Sequence, residues 1–287
     1  ELLQNKSFNF ASFYERRARR ILPMLFVVLS ISCPIAFYTF LPNEFHEYID
    51  SVISSIFFFS NFFFYSVTTE YGAESSLLKP LLHTWSLAIE EQFYLFFPII
   101  VFVLFKFHQN HLKKILIFFF IKSFFFSNIF CNLNPEFNFF HPLSRFWELL
   151  TGSLLAYINL KGKINKELYL SNVLTSTGIS LILFSIFFFN DSSPYPNYKT
   201  LIPVVGTALI IFYSSKNDYI SKVLSSRVFV GVGLISYSVY LWHFPIFAFY
   251  RTLKPTINNF DKFESIILTI FLSVISYFII EKKFRSN

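Results

Sequence analysis

Long apolar runs broken by short polar segments organise this chain. Runs near membrane-spanning length fall at roughly 21–41, 48–67, 84–105, 113–131, 143–160, 172–189, 199–215, 233–252 and 263–281. About 20 mainly apolar residues make a helix long enough to cross ~30 Å of hydrocarbon. The pattern therefore predicts an all-α, polytopic transmembrane bundle of about nine helices. The run near 143–160 is the least regular, because Arg145 and Glu148 open it and set its start at the interface. The longer polar connections, near 68–83, 132–142, 190–198 and 216–232, are each too short to build a soluble core. The expected division is a basic cytoplasmic loop over 1–20, a membrane domain over 21–281 and a short tail over 282–287. The chain opens on a polar, basic segment with neither a starting methionine nor a signal peptide, so it is expected to continue a longer protein upstream.

Charge adds an orientation to this pattern. Arg16, Arg17, Arg19 and Arg20 form the densest basic block and mark the cytoplasmic side. If all nine runs cross, the other Lys and Arg residues fall about equally on both sides. Either the helix count is off by one, or some basic residues serve a ligand. Composition excludes an ordinary soluble domain: 54% of residues are hydrophobic and only 14% charged. Cys33 and Cys131 build neither a disulfide framework nor a metal cage. A net charge of +7 gathered at helix ends suits lipid head groups or an anionic cofactor, not a nucleic acid. With no zinc spacing, phosphate loop or dinucleotide fingerprint, no metal is expected.

The stretch LLHTWSLAIEEQFYLFFP, residues 81–98, carries the densest chemistry. A carboxylate at the centre of a membrane helix costs about 2.5–3.5 kcal/mol on insertion scales, so Glu90 and Glu91 need partners, water or a task. Ser86, Glu90, Phe93 or Tyr94, and Phe97 share a helical stripe that predicts an inward Glu90, with Glu91 turned about 100° away. His83 lies two turns earlier, roughly 10 Å along the axis, near enough to border the same cavity. The alternative is an interfacial helix end, with both acids in water and Trp85 and Tyr94 as belt aromatics.

Other polar residues sit in apolar company. Arg17 and Arg20, three apart on one helix face, suit a forked grip on phosphate as well as a topology signal. Asn61 in IFFFSNFFFY is expected to hydrogen-bond a neighbouring helix. Arg145 and Glu148 can pair at i and i+3, and Gly152 with Ala156 offers a small-xxx-small step for a close crossing. Ser236, Tyr240 and His243 follow i, i+4, i+7 and predict a polar stripe lining a cavity.

Taken in order, FYERRARRILP, FSNFFFY, LLKPLLHTWSLAIEEQFYLFFP, RFWELLTGSLLAY, SYSVYLWHFPIF and SYFIIEKKFR resemble the acyltransferase 3 family. Within it the chain looks most like the bacterial O-antigen and polysaccharide O-acetyltransferase branch. The resemblance implies a multi-pass enzyme of the bacterial inner membrane. Such an enzyme takes an acyl group, usually acetyl, from cytoplasmic acetyl-CoA or another acyl-CoA and gives it to a hydroxyl of an envelope polysaccharide. It further implies acyl-CoA use at Arg17 and Arg20 and an essential acid at Glu90, and it matches Tyr237 and His243 to the YLWH block. Family members begin with two more helices, the first bearing a catalytic histidine, and many end in a periplasmic SGNH domain. This chain has neither, so alone it is expected to be inactive, and Lys283 stands where proline is common. A proton-coupled transporter and an inactive gene fragment are the alternatives.

Overall fold

The computed structural model describes residues 8–70, 75–161, 168–190, 194–254 and 256–285, and among them every regular element is helical. Helices α1 (Phe10–Thr39), α2 (Pro42–Ile56) and α3 (Ser60–Thr69) precede α4 (Thr84–His108), α5 (Leu112–Leu133), α6 (Pro135–Phe140) and α7 (Pro142–Lys161). Then come α8 (Leu168–Phe188), α9 (Leu201–Tyr213), α10 (Tyr219–Leu224), α11 (Arg227–Leu253) and α12 (Asn259–Ser276). A π-helical turn over Tyr277–Glu281 leads into α13 (Lys282–Arg285). Among the described residues, five stretches are long and apolar enough to cross a membrane: Phe10–Thr39, Thr84–Leu133, Leu168–Phe188, Arg227–Leu253 and Asn259–Arg285. The chain is a multi-pass helical membrane protein.

Several elements depart from the hydropathy pattern. The run at 48–67 is broken into α2 and α3. Phe58 takes the left-handed conformation, with φ of 57°, and the Phe59 amide returns to the Ser54 carbonyl at 2.8 Å. Hydroxyls of Ser51, Ser54 and Ser55 bond back to the Tyr48 and Ser51 carbonyls. Such bonds compete with the helix ladder, and a count of apolar residues does not register them. The basic segment expected as a loop is helical from Phe10 onward, its start capped by the Asn9 side chain accepting from the Ser12 amide at 3.2 Å. Residues 1–7 of that segment lie outside the described residues. The stretch 84–133 holds two helices joined by a 3-10 turn at Gln109–His111. Helix α9, with 13 residues, is only about 20 Å long.

The chain divides into two compact units, a continuous one over 89–230 and a split one over 9–88 and 231–287. In the continuous unit Phe93, Leu112, Leu116, Leu150 and Tyr157 form a core that joins α4, α5 and α7. Helices α8 and α9 cross at Gly178 and Gly206, where a Cβ on Gly178 would meet the Gly206 carbonyl oxygen at 2.6 Å. The close crossing expected at Gly152 is absent, since a Cβ there meets nothing within 4 Å. The glycines that permit contact belong to α8 and α9 instead.

The split unit is framed by α1 and α11, which run parallel. Near their starts the Tyr237 hydroxyl donates to the Ile21 carbonyl at 2.9 Å. Near their ends the Phe249 ring lies 5.7 Å from that of Phe40. Buried hydroxyls tie further helices to this frame: Ser32 bonds Tyr48 at 2.7 Å and Ser55 bonds Thr84 at 2.8 Å. The indole of Trp242 donates to Ser276 at 3.0 Å.

Candidate functional site

Polar groups of the split unit gather at three levels along α11. The first is basic. Arg16, Arg17, Arg19 and Arg20 occupy the opening turns of α1, and α13, which carries Lys282, Lys283 and Arg285, touches α1. Among the described residues Glu15 pairs with Arg19 at 2.8 Å, and Glu281 lies close to Arg20 and Arg285. Arg17 is half-buried and Arg20 exposed. Glu281 is buried in the π-helical turn, accepts a hydrogen bond from Ser238, and lies within electrostatic reach of Arg20 and Arg285. A carboxylate there holds part of the cationic cluster in place, and the remaining excess of positive charge suits a polyanion.

Six residues beyond Tyr237, about 9 Å along α11 at 1.5 Å per residue, His243 reaches the second level. His83, the last residue before α4, is 5% exposed and faces it, ring centroids 5.3 Å apart. Tyr240 packs edge-on to His83 at 5.1 Å and donates to its carbonyl at 2.6 Å, while sharing a hydrogen bond with Ser86 at 3.0 Å. Phe244 stacks on the other side of His83. The His243 Nδ1 is engaged by the Tyr240 carbonyl at 2.6 Å. Among the described residues neither ring nitrogen of His83 makes a well-formed hydrogen bond, although the Pro80 carbonyl lies near enough to interact with the ring. A buried imidazole with incomplete hydrogen bonding forfeits hydration it had in water, a cost that calls for a reason. Ser236, expected on the same stripe, is exposed and bonds back to the Gly233 carbonyl. Only the Tyr240 and His243 part of the stripe converges.

The third level is a cavity of about 270 Å³ at the far end of the frame, bordered by Phe40, Glu47, Tyr48, Lys79 and Arg251 among others. Its position follows from Phe40 and Arg251, which close α1 and α11.

The remaining predicted residues separate. Asn61 is fully buried and Trp85 half-buried, both in the split unit. Glu90 belongs to the continuous unit and is exposed, against the expected inward orientation. Leu87, Ala88 and Ile89 are buried where Glu90 is not, and of the expected stripe Phe93 is buried. Tyr94 is half-buried beside the core at Phe93. Arg145 and Glu148 pair at 3.4 Å as expected. Arg145 also donates to the Tyr195 hydroxyl at 2.8 Å and lies over its ring at 4.4 Å, a self-contained arrangement in the continuous unit. Sequence reasoning missed Glu281, Lys79 and Arg251. The signal for Glu281 was its place one turn before Arg285; for the other two the contacts span 32 and 174 residues and leave no local trace.

A family model described as an acyltransferase domain matches residues 2–280. An uncharacterised protein of Haemophilus influenzae is 35% identical over 225 residues, which cover 75% of this chain and 91% of that protein. O-acetyltransferase OatA of Staphylococcus aureus strain NCTC 8325 is 28% identical over the whole of this chain and 49% of its own length. A putative O-acetyltransferase of S. aureus strain COL is 31% identical over 96% of this chain and 48% of its own. The chain thus spans about half the length of these two staphylococcal relatives. No solved structure matches.

Proposed function

The chain belongs to the acyltransferase 3 family of enzymes, and on that premise we propose that it serves an O-acetyltransferase of the bacterial inner membrane that acts on an envelope glycan. The donor in this reading is an acyl-CoA such as acetyl-CoA. Arg17 and Arg20 receive its phosphates, supported by the excess of positive charge where α13 meets α1. Arginine suits the task because its planar fork matches phosphate oxygens two at a time.

The observation that carries the proposal is His83, buried without a well-formed hydrogen bond to its ring between the basic end and the far end of one helical frame. In the reaction the thioester C–S bond breaks and an ester C–O bond forms to the sugar hydroxyl. The hydroxyl proton leaves through the imidazole of His83 and ends on the thiolate of the departing CoA. Tyr240, bonded to the His83 carbonyl, fixes where the ring stands. Glu90 enters only through its family match.

The test follows labelled acetyl from acetyl-CoA to glycan in vesicles from cells expressing the protein. His83→Ala is expected to slow transfer by about 10²–10⁴-fold, the range of a positioned general base. Transfer at the wild-type rate would overturn the assignment, and solute uptake without thioester loss would point to a carrier.

A further inference from the structure

At the end of α1 opposite the arginines, the split unit encloses a cavity that the donor site does not use. Twenty residues separate Arg20 from Phe40, about 30 Å of helix, which equals the ~30 Å hydrocarbon core of a bilayer. The cavity therefore stands one membrane thickness from the basic end. It measures about 270 Å³, close to the lower bound of ligand pockets at ~300 Å³, a size for one or two sugar rings and not for a lipid chain.

Its lining combines three chemistries. Glu44 and Glu47 bring carboxylates; Lys79 and Arg251 bring cations; Phe40, Tyr48 and Phe64 bring flat apolar faces. The charges are held by the fold. Lys79 is 6% exposed and ion-pairs with Glu47. Glu44 caps the Leu41 amide at 2.8 Å, and Arg251 reaches the Leu77 carbonyl at 3.4 Å. Tyr48 is 3% exposed and fixed by Ser32.

Two acids against two bases give no net attraction for an anion such as phosphate. They do match a polyol, whose hydroxyls donate to carboxylates and accept from ammonium and guanidinium groups. The aromatic rings offer surface to the C–H faces of a sugar. Lys79 and Pro80 of the cavity wall precede His83 by four and three residues on the same segment, although His83 itself does not line the cavity. We infer that this cavity is the acceptor subsite, binding an uncharged sugar unit of the envelope glycan. The inference rests on the acyl-transfer reading above and adds to it where the acceptor sits and what kind of acceptor fits.

Steady-state transfer separates the two. Neutral oligosaccharides released from the host's own envelope glycan serve as acceptor and acetyl-CoA as donor, with the protein in proteoliposomes. Arg251→Gln is the first variant, because Arg251 holds the fold only by a long hydrogen bond to the Leu77 carbonyl and a distant contact over the Phe247 ring. Glu47→Gln is the second, with thermal unfolding measured alongside. Both are expected to raise the KM for oligosaccharide at least tenfold while the KM for acetyl-CoA and the slow acceptor-independent release of CoA stay unchanged. If the oligosaccharide KM stays within twofold in Arg251→Gln while transfer proceeds, the cavity is not the acceptor subsite and the transfer reading stands. The assay uses the full-length protein, and if its wild-type form acetylates no oligosaccharide, the transfer reading fails and the subsite with it. Stronger acetylation of phosphorylated than neutral oligosaccharides would also overturn the inference, since it requires a cationic site.

Discussion

The phenol of Tyr240 offers the sharpest test of how the histidine level works. Tyr240→Phe removes one oxygen and keeps the ring that packs edge-on to His83. Two hydrogen bonds go with it, to the His83 carbonyl at 2.6 Å and with Ser86 at 3.0 Å. At about 1 kcal/mol net for each buried hydrogen bond the loss is about 2 kcal/mol. Were all of it expressed in the transition state, kcat/KM would fall about 30-fold. A purely structural role would instead lower thermal stability and leave the rate of the surviving folded protein untouched. The double variant decides between these. If the phenol acts by placing the imidazole, then His83→Ala together with Tyr240→Phe should transfer acetyl no more slowly than His83→Ala alone, because residues that act as a unit are not additive. The assay is acetyl transfer in vesicles, normalised to folded protein. Losses that multiply, so that the double variant is a further 30-fold slower than His83→Ala, would refute the coupling and return Tyr240 to a packing role.

Arg17→Ala and Arg20→Ala should each raise the KM for acetyl-CoA about tenfold with little change in kcat, read from donor titrations; unchanged donor KM would make the basic cluster a topology signal only. Glu90→Gln should keep the wild-type unfolding temperature and lower transfer, and full activity would remove its carboxylate from the reaction. Gly178→Ala places a Cβ 2.6 Å from the Gly206 carbonyl oxygen, a backbone atom that cannot rotate away, so α8 and α9 must part. A loss of about 1–3 kcal/mol, visible as earlier thermal unfolding in detergent, is expected despite the better helix propensity of alanine. Asp218 gives a pH dependence: burial pushes its carboxyl up, but bonds from the Ser215 and Ser221 amides and from Thr175 outweigh this and hold it at about 2, against 3.8 ordinarily. Its depressed value contributes stability above pH 3.8 that is lost as pH falls through about 2, and Asp218→Asn should flatten that acid slope in thermal unfolding.

The helical membrane class was legible because hydropathy needs only length and apolarity, both local, but of about nine expected runs five stretches among the described residues are long and apolar enough to span. The break between α2 and α3 was not, since serine hydroxyls and one left-handed Phe58 set it and apolar counting ignores both. At the site, His83, Tyr240 and His243 were nominated from apolar surroundings and helical spacing, and the structure joins them across 157 and more residues, a join that periodicity on one helix cannot foresee. The same periodicity misplaced Glu90. It specifies which residues share a stripe, while the direction of the stripe is settled by neighbouring helices. The cavity residues Glu47, Lys79 and Arg251 are individually ordinary loop and helix-end charges, so they acquire meaning only when folded together.

What singles out His83 is the contrast with the polar groups around it. Inside hydrocarbon an unsatisfied polar group costs several kcal/mol, so buried polar atoms of a membrane bundle are expected to find one another. The split unit follows this closely: Ser32 with Tyr48, Ser55 with Thr84, Ser238 with Glu281, Trp242 with Ser276 and Tyr237 with the Ile21 carbonyl are each satisfied within the protein. Among the described residues of that unit, the buried atoms left without a well-formed hydrogen bond are the hydroxyl of Ser60 and both nitrogens of His83. A serine in a helix escapes the penalty by turning its hydroxyl toward a backbone carbonyl one turn back. An imidazole packed against Tyr240, His243 and Phe244 has only the Pro80 carbonyl near it, without a well-formed bond. Replacing it with leucine would relieve the penalty and should therefore stabilise the fold, whereas a packing histidine would show the reverse. Higher thermal stability combined with loss of acetyl transfer in His83→Leu is the signature of a residue kept for chemistry; lower stability with transfer retained would show that its surroundings need the ring.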